Sequence, residues 1–434
     1  MDVGATMAEK ILARACGKEK VTPGEIIYPF PDLITVHDWY ITHAIKTLEE
    51  LGVERIWDPS RVIVSTDHEV IATSVQAAER QKAARKIAEK YNISRFFDVG
   101  FGGLGHVFPV EKGFVEPGMF VLAYDTHVTN FGAVGALGIP VITEIAAVLA
   151  LGTVWIQVPK TIRINLKGRL KPGVSIRDFS QWILGRISED VFDYAIVEYG
   201  GEAFRHLGID ARHTLCNIPI EMGAKSALVE PDDFAKQYLK TRPNPVRLDW
   251  LVMPDPDAEY AEVYEFDLSE VEPQVAAPPR PDHVFPVSRC AGTKIDHAFI
   301  GSCASGLLED LREAARILKN RTLHPGVRLF VTPATQEIMR SAEEEGIIKI
   351  FVEAGAVITP PGCGPCAGGK IGGLAAGEVS INTGTRNDPG RLGAYDAQIY
   401  LASPATVAAS AIRGKITDPR EFFNEGEAAD EMGL

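Results

Sequence analysis

The strongest constraint on this chain is a pattern: short apolar segments that break off abruptly into polar residues and are followed by helical stretches. Arg61–Ser65 (RVIVS) reads as a strand and runs into Asp67 and His68. Met119–Ala123 (MFVLA) reads as another and runs into Asp125, Thr126 and His127. Between them, Val75–Tyr91 has helical spacing with Arg and Lys on its exposed face. Alternating strands and helices predict an α/β architecture. In such folds the loops at strand C-termini are where ligands meet side chains, so the polar tips carry the functional interest.

The same alternation divides the chain into three expected domains. The first covers residues 1–160, the second 161–283 and the third 284–434. The second opens on the alternating strand TIRINLKGRL and includes DYAIVEY and EYAEVYEFDL. The third strings together HAFIGS, a helix near Leu307–Leu318, VRLFVTP, a helix near Ala334–Glu345, and AGAVITP. The five prolines of PQVAAPPRPDHVFPVS (273–288) mark that stretch as the linker candidate. Near the N-terminus, Thr6 as N-cap, Glu9 three residues on and Gly17 as a stop predict a first helix. Residues 131–159 carry a single charge, Glu144, over a length that could span a membrane. Four glycines and a proline cut the run into pieces, so it reads as a buried loop and helix of the α/β core. No sequence repeat is visible.

Composition removes several classes of function. A net charge of −14 argues against nucleic acid as a partner, because phosphate binding needs a basic surface. Six cysteines in 434 residues are too few for a disulfide scaffold and fit a reducing compartment. Glu9, Lys10 and Arg14 interrupt any signal-peptide core, so a cytoplasmic location is expected.

Three cysteines stand out. Cys303 follows the strand of FIGSCASG, and Cys363 and Cys366 lie in TPPGCGPCAGGK after AGAVITP. A bare C-x-x-C fits a redox pair, half a zinc site or chance. No second C-x-x-C exists to complete a zinc site, and the surrounding glycines let backbone approach a bulky object. Three thiolates on glycine-rich loops suit an iron–sulfur cluster with one iron left open. Acid–base groups gather in the first block: Asp67-His68, His106 in FGGLGHVF, and Asp125-Thr126-His127. Carboxylates beside imidazoles fix a tautomer and raise basicity, as a proton shuttle requires. Arg386 and Arg391 of TGTRNDPGRLG offer planar forks for carboxylates.

Together these stretches resemble the aconitase superfamily, and above all its two-subunit dehydratases. The resemblance runs through TMAEKILARACG, DHEV, GFGGLGHVFPVEKG, DTHVTNFGAVGA, TLCNIPIEMGAK, IGSCASGLLEDLR, PPGCGPCAGGK, TRNDPGRLG and YLASPATVAASAIRGKI, nearly the whole chain. It implies a three-domain α/β/α core around a [4Fe-4S] cluster, without the swivelling fourth domain. Cys303, Cys363 and Cys366 match the cluster ligands. Asp67–His68, Asp125–His106 and Glu221–His127 match the family's carboxylate–histidine pairs. Asn217, Arg386 and Arg391 match positions that support the cluster or hold substrate, and Thr126 stands in the Asp-Ser-His position. His37 and Asp38 of ITVHDWY match a further active-site loop. The family's serine base lies in a Gly-Ser-Ser-Arg-type motif that does not occur here. The implied partner is therefore a small subunit carrying the swivelling domain and the serine, in a hetero-oligomer. The implied reaction is dehydration and rehydration of a malate-type hydroxy-diacid: isopropylmalate, as in leucine biosynthesis, or a homoaconitate, citramalate or dimethylmalate type. A non-catalytic iron–sulfur regulator that binds RNA is the competing class, and the acidic charge speaks against it. Departures at Thr126, Ala304, Ser305, Thr385 and Asp388 leave the ionisable groups in place and touch the polar surroundings of the substrate.

Overall fold

The structure, a computed structural model, describes residues 4–423. It divides into two compact units, Met1–Leu166 with Glu189–Phe266 and Lys167–Ser188 with Asp267–Leu434.

The first unit is built on five parallel strands. Their spatial order is Arg95–Phe97, Val62–Ser65, Leu33–His37, Phe120–Tyr124, Leu137–Pro140. In chain order that is 3-2-1-4-5, and the direction of succession reverses at Leu33–His37 and Phe120–Tyr124. Alternate residues serve opposite faces. Ile34, Val36, Val62, Val64, Phe120 and Leu122 join one apolar cluster, which includes Ile41, Ile45 and Leu48 of the helix Asp38–Glu50. Leu33, Ile63, Val121 and Ala123 join a second, with Phe108 and Phe131. With both faces covered, these strands read as continuous apolar runs in the sequence. A second sheet places Ser226–Val229, Ala195–Gly200, Lys160–Lys167 and Glu262–Asp267 side by side, with its first two pairings parallel. The first helix is Met7–Ala15, with Thr6 and Glu9 forming the expected capping box.

The apolar stretch 131–159 contains more than a loop and a helix. The 3-10 segment Thr126–Val134 leads into the strand Leu137–Pro140, then the helix Ile145–Leu151 and the short strand Ile156–Gln157. Gly135, at φ +77°, turns the chain between the first two. Gly138 sits where a β-carbon would overlap the Val128 carbonyl. These glycines hide the strand from a propensity reading because they are required by close packing. No helix among the described residues is long and apolar enough to cross a membrane.

Among the described residues, the second unit is built on a sheet of seven strands. Five are parallel, in the order Val357–Ile358, Arg328–Val331, His297–Ile300, Val379–Asn382, Gln398–Ala402. In chain order these again run 3-2-1-4-5. Gln274–Ala276 and Val284–Pro286 extend the sheet antiparallel, with Val284–Pro286 outermost. The stretch 273–288, expected to be a linker, is thus part of the sheet. Its prolines are tolerated because Pro278, Pro279 and Pro281 fall in the connection between the two strands, and Pro286 ends the outermost strand, which has a side that needs no N–H donors.

Candidate active site

In a sheet of order 3-2-1-4-5 the loops leaving strands 1 and 4 diverge, opening a crevice at the strands' C-terminal ends. In the first unit those ends are His37 and Tyr124, and the side chains expected to do acid–base work collect there. His37, Asp67, His106 and Asp125 line one recess together with Thr35, Ser65 and Gly105. Asp67 is pinned on both sides: Oδ2 accepts the Gly105 N–H at 2.7 Å and the Ser65 hydroxyl at 3.2 Å. Its Oδ1 stands 2.7 Å from His68 Nδ1. Glu221 Oε1 stands 2.8 Å from His127 Nε2. The third expected pair is looser, with His106 Nδ1 3.8 Å from Asp125 Oδ1. Asp125 serves instead as a hub. It accepts the His127 N–H at 2.8 Å and lies 3.8 Å from ring nitrogens of both His37 and His68.

His37 and His68 stack with centroids 3.8 Å apart. Asp38, at the start of its helix, accepts the Glu69 N–H at 2.9 Å and the His68 N–H at 3.3 Å, tying the loop after one strand to the end of the next. Thr126 Oγ1 is 3.4 Å from His127 Nδ1. Asn217, fully buried, donates to Asn130 Oδ1 at 2.8 Å.

The charges follow from this packing. Burial opposes a charge on His68, yet Asp67, Asp125 and Asp38 around it push its pKa up to about 9. Burial would raise Asp125, but the imidazoles of His106, His127 and His37 hold it well below the usual carboxylate range. Asp38 behaves likewise: burial is outweighed by His37, His68 and the Glu69 N–H, and its pKa is lowered. At neutral pH a protonated His68 therefore stands beside the ionised carboxylates of Asp125 and Asp38. His213, close by in the fold, goes the other way, because burial and the neighbouring His106 push it down to about 3.

In the second unit the three cysteines lie at the corresponding strand ends. Cys303 follows strand 1 in the short helix Ser302–Ser305, and Cys363 and Cys366 follow strand 3. All three are buried, and none is in a disulfide. Ser302 has φ +74°, a costly conformation for a residue with a β-carbon, and strain of this kind concentrates at functional sites. It is held by Thr383, whose carbonyl accepts the Ser302 hydroxyl and whose own hydroxyl bonds the Gly301 backbone. Gly364, at φ +57°, packs where a β-carbon would strike Thr332. Arg391 Nη2 is 3.7 Å from Cys366 Sγ. The Cys363 thiol, Arg391 and the Thr385 N–H together hold the Cys366 thiol well below its ordinary pKa, against burial. Buried thiols outside any disulfide, on tight glycine turns and with a guanidinium beside one sulfur, fit an iron–sulfur cluster better than a redox pair.

Asp67, His68, His106, Asp125, His127, Glu221, His37, Asp38, Thr126 and Asn217 all fall in the first unit, and Cys303, Cys363, Cys366, Arg386 and Arg391 in the second. Of the remaining departures, Thr385 is buried, its N–H among the groups that lower the Cys366 pKa, and Asp388 is exposed, its carbonyl accepting the Arg391 N–H. Sequence reasoning did not single out Ser65, Gly105, Asn130, Ser302 or Thr383. Only Gly105 gave a signal, as part of a glycine-rich run; the others are ordinary polar residues until the fold brings their partners to them.

Comparison with known proteins places these observations. A Methanopyrus kandleri protein named 3-isopropylmalate dehydratase large subunit 1 is 45% identical over 97% of this chain and 100% of its own length. One of the same name from Archaeoglobus fulgidus is 45% identical over 96% of this chain and 99% of its own. A Methanothermobacter thermautotrophicus protein described as a probable methanogen homoaconitase large subunit is 41% identical over 98% and 100%. The Aconitase family (aconitate hydratase) matches residues 9–293 and 288–414. With a match of that extent and relatives of that similarity along its length, the chain belongs to the aconitase family.

Proposed function

We propose that this chain is the large subunit of an iron–sulfur hydro-lyase that removes water from, and returns it to, a malate-type hydroxy-diacid of the isopropylmalate class. The observation that carries the reading is His68: a partly buried imidazole kept protonated by Asp67 and stacked on His37 at the switch point of the sheet. Expelling hydroxide from carbon needs an acid that is still protonated at working pH, and few side chains can meet that at neutrality.

Cys303, Cys363 and Cys366 would hold the cluster, which when bound supplies an open iron as a Lewis acid for the substrate hydroxyl. His68 gives its proton to the departing oxygen, and Asp67 keeps the ring oriented through Nδ1, leaving Nε2 as the donating atom. Asp125 stabilises the imidazolium charges around it and is not itself the acid, since it stays ionised. Arg391 and Arg386 hold substrate carboxylates through guanidinium forks. The C–H proton needs a base, and the reading assigns it to a serine on a small subunit. The designation "large subunit" in the relatives' names supports that partner. Isopropylmalate is preferred because the two 45% relatives carry that name; homoaconitate is the alternative raised by the 41% relative.

The test is reconstitution. Anaerobically prepared chain is expected to hold about four irons and four sulfides, to lose them in Cys303→Ser, Cys363→Ser and Cys366→Ser, and to keep them in Cys16→Ser. Alone it is expected not to hydrate an unsaturated diacid, and to do so once its small subunit is added. Full turnover by the lone chain, or iron binding that survives all three substitutions, would overturn the reading.

A further inference from the structure

Arg177 is among the largest fully buried side chains, at 1% exposure, although an arginine in the helix Ile176–Leu184 would ordinarily face water. Burying a guanidinium is expensive unless its surroundings compensate it. Its Nη2 donates to the carbonyl oxygen of Gly384 at 2.5 Å. The peptide that carries this carbonyl also carries the Thr385 N–H, and it lies against the cysteine: a β-carbon on Gly384 would stand 3.8 Å from Cys366 Sγ, and the Thr385 N–H is one of the groups that lower that thiol's pKa. A single peptide group thus links the buried cation to the cysteine sulfur.

The geometry around it is tight. The Gly384 N–H is held by Asn382 Oδ1 at 2.8 Å, and a β-carbon on Gly384 would come within 2.7 Å of that same oxygen. The helix bearing Arg177 is fixed in turn by Asp178, which accepts the N–H groups of Ser175 and Gln274, each at 2.9 Å. Neither end of the link can drift.

We infer that Arg177 is a positioning residue for the iron–sulfur site: it holds and polarises the Gly384–Thr385 peptide so that the Thr385 N–H serves the Cys366 sulfur. A cationic donor on an amide oxygen strengthens the N–H of the same amide as a donor. Hydrogen bonds to cysteine sulfur, together with nearby charge, set a cluster's reduction potential. The inference rests on the cluster proposed above, and asks what this chain does to it.

The test is a redox titration of the loaded chain followed by electron paramagnetic resonance, comparing wild type with Arg177→Gln and Arg177→Lys. Losing the charge and the fork should make the added electron about tenfold less tightly held in Arg177→Gln, a fall of about 59 mV for a one-electron couple. Arg177→Lys, which keeps charge without the planar fork, should fall by less. A residue that merely fills space would lower the unfolding temperature of the variant and leave the potential where it was. Fully loaded Arg177→Gln with the wild-type potential overturns the inference alone. If Arg177→Gln does not fold, Arg177→Lys decides, and an unchanged potential there overturns it. A wild-type chain that takes up no iron overturns both this inference and the reading beneath it.

Discussion

His68 shows how a single residue acquires its chemistry from its neighbours. Its ordinary pKa of 6.5 rises to about 9 because three carboxylates outweigh burial. A raised pKa in the folded state means that folding takes up a proton. The resulting stability is fully present below pH 6.5 and is lost as pH climbs through 9. Removing the largest favourable partner should therefore flatten that dependence. Asp67→Asn is expected to show little change in unfolding free energy across pH 6.5 to 9, where wild type loses on the order of 3 kcal/mol; a denaturant series at each pH measures it. In the same variant, the alkaline fall of kcat in the assembled enzyme should move to lower pH. Equal pH slopes for the two proteins would show that Asp67 does not charge His68. Arg391 makes a separate case. Lysine keeps the charge but not the fork, so Arg391→Lys should raise KM by roughly 10- to 150-fold, the equivalent of a lost charged hydrogen bond of about 1.5–3 kcal/mol, with iron content checked first. A wild-type KM on every diacid tried would remove this loop from the carboxylate site.

At the scale of elements, glycines decide how the site segments are seated. The 3-10 segment Thr126–Val134 delivers His127 and Asn130, and it can lie against the strand Ser226–Val229 because Gly132 has no side chain. A β-carbon there would overlap the Ala227 carbonyl oxygen. Gly132→Ala should accordingly cost about 3 kcal/mol or more, since backbone cannot step aside as a side chain can. Gly17→Ala is the contrast. It lies in open space at φ +67°, so only the left-handed backbone is penalised, by about 1–2 kcal/mol. Thermal unfolding of both variants checks the order, and a Gly132→Ala protein as stable as Gly17→Ala would mean that the segment has room to shift. The capping box of the first helix was legible from Thr6 and Glu9 because it is local. The role of Gly132 was not, because its partner lies nearly a hundred residues away.

At the scale of the whole molecule, the same strand order, 3-2-1-4-5, occurs once in each unit. In each, chemistry-bearing residues follow strand 1: His37–Asp38 in the first and Cys303 in the second. The chain leaves the first unit at 167, returns at 189 and leaves again at 267, so the second unit takes its helix Ile176–Leu184 from the middle of the sequence. Every residue of that helix is buried. A fragment of residues 267–434 would expose the surface this helix covers and leave the Gln274 N–H and the Gly384 carbonyl without their partners. It should fail to fold or to retain iron, whereas the full chain is expected to fold and to hold it; near-ultraviolet circular dichroism and iron analysis of the two will tell. A cooperatively folded, iron-bearing fragment would show that the inserted segment is dispensable.

The sequence alone determined what depends on near neighbours: the strand–helix alternation, the capped first helix, the adjacent Asp67–His68 pair, the two glycine-flanked cysteines, and, through many short motifs together, the family. These are legible because hydrophobic period, caps and adjacent residues act over a few positions. Tertiary structure alone decided that Asp125 is a hub for several imidazoles, that a proline-rich stretch closes a sheet edge, that two units repeat one topology without repeating sequence, and that Arg177 is buried against Gly384. Each depends on contacts between residues far apart in the chain. Burial and charge at those positions are set by what the fold brings near, and no local pattern records it.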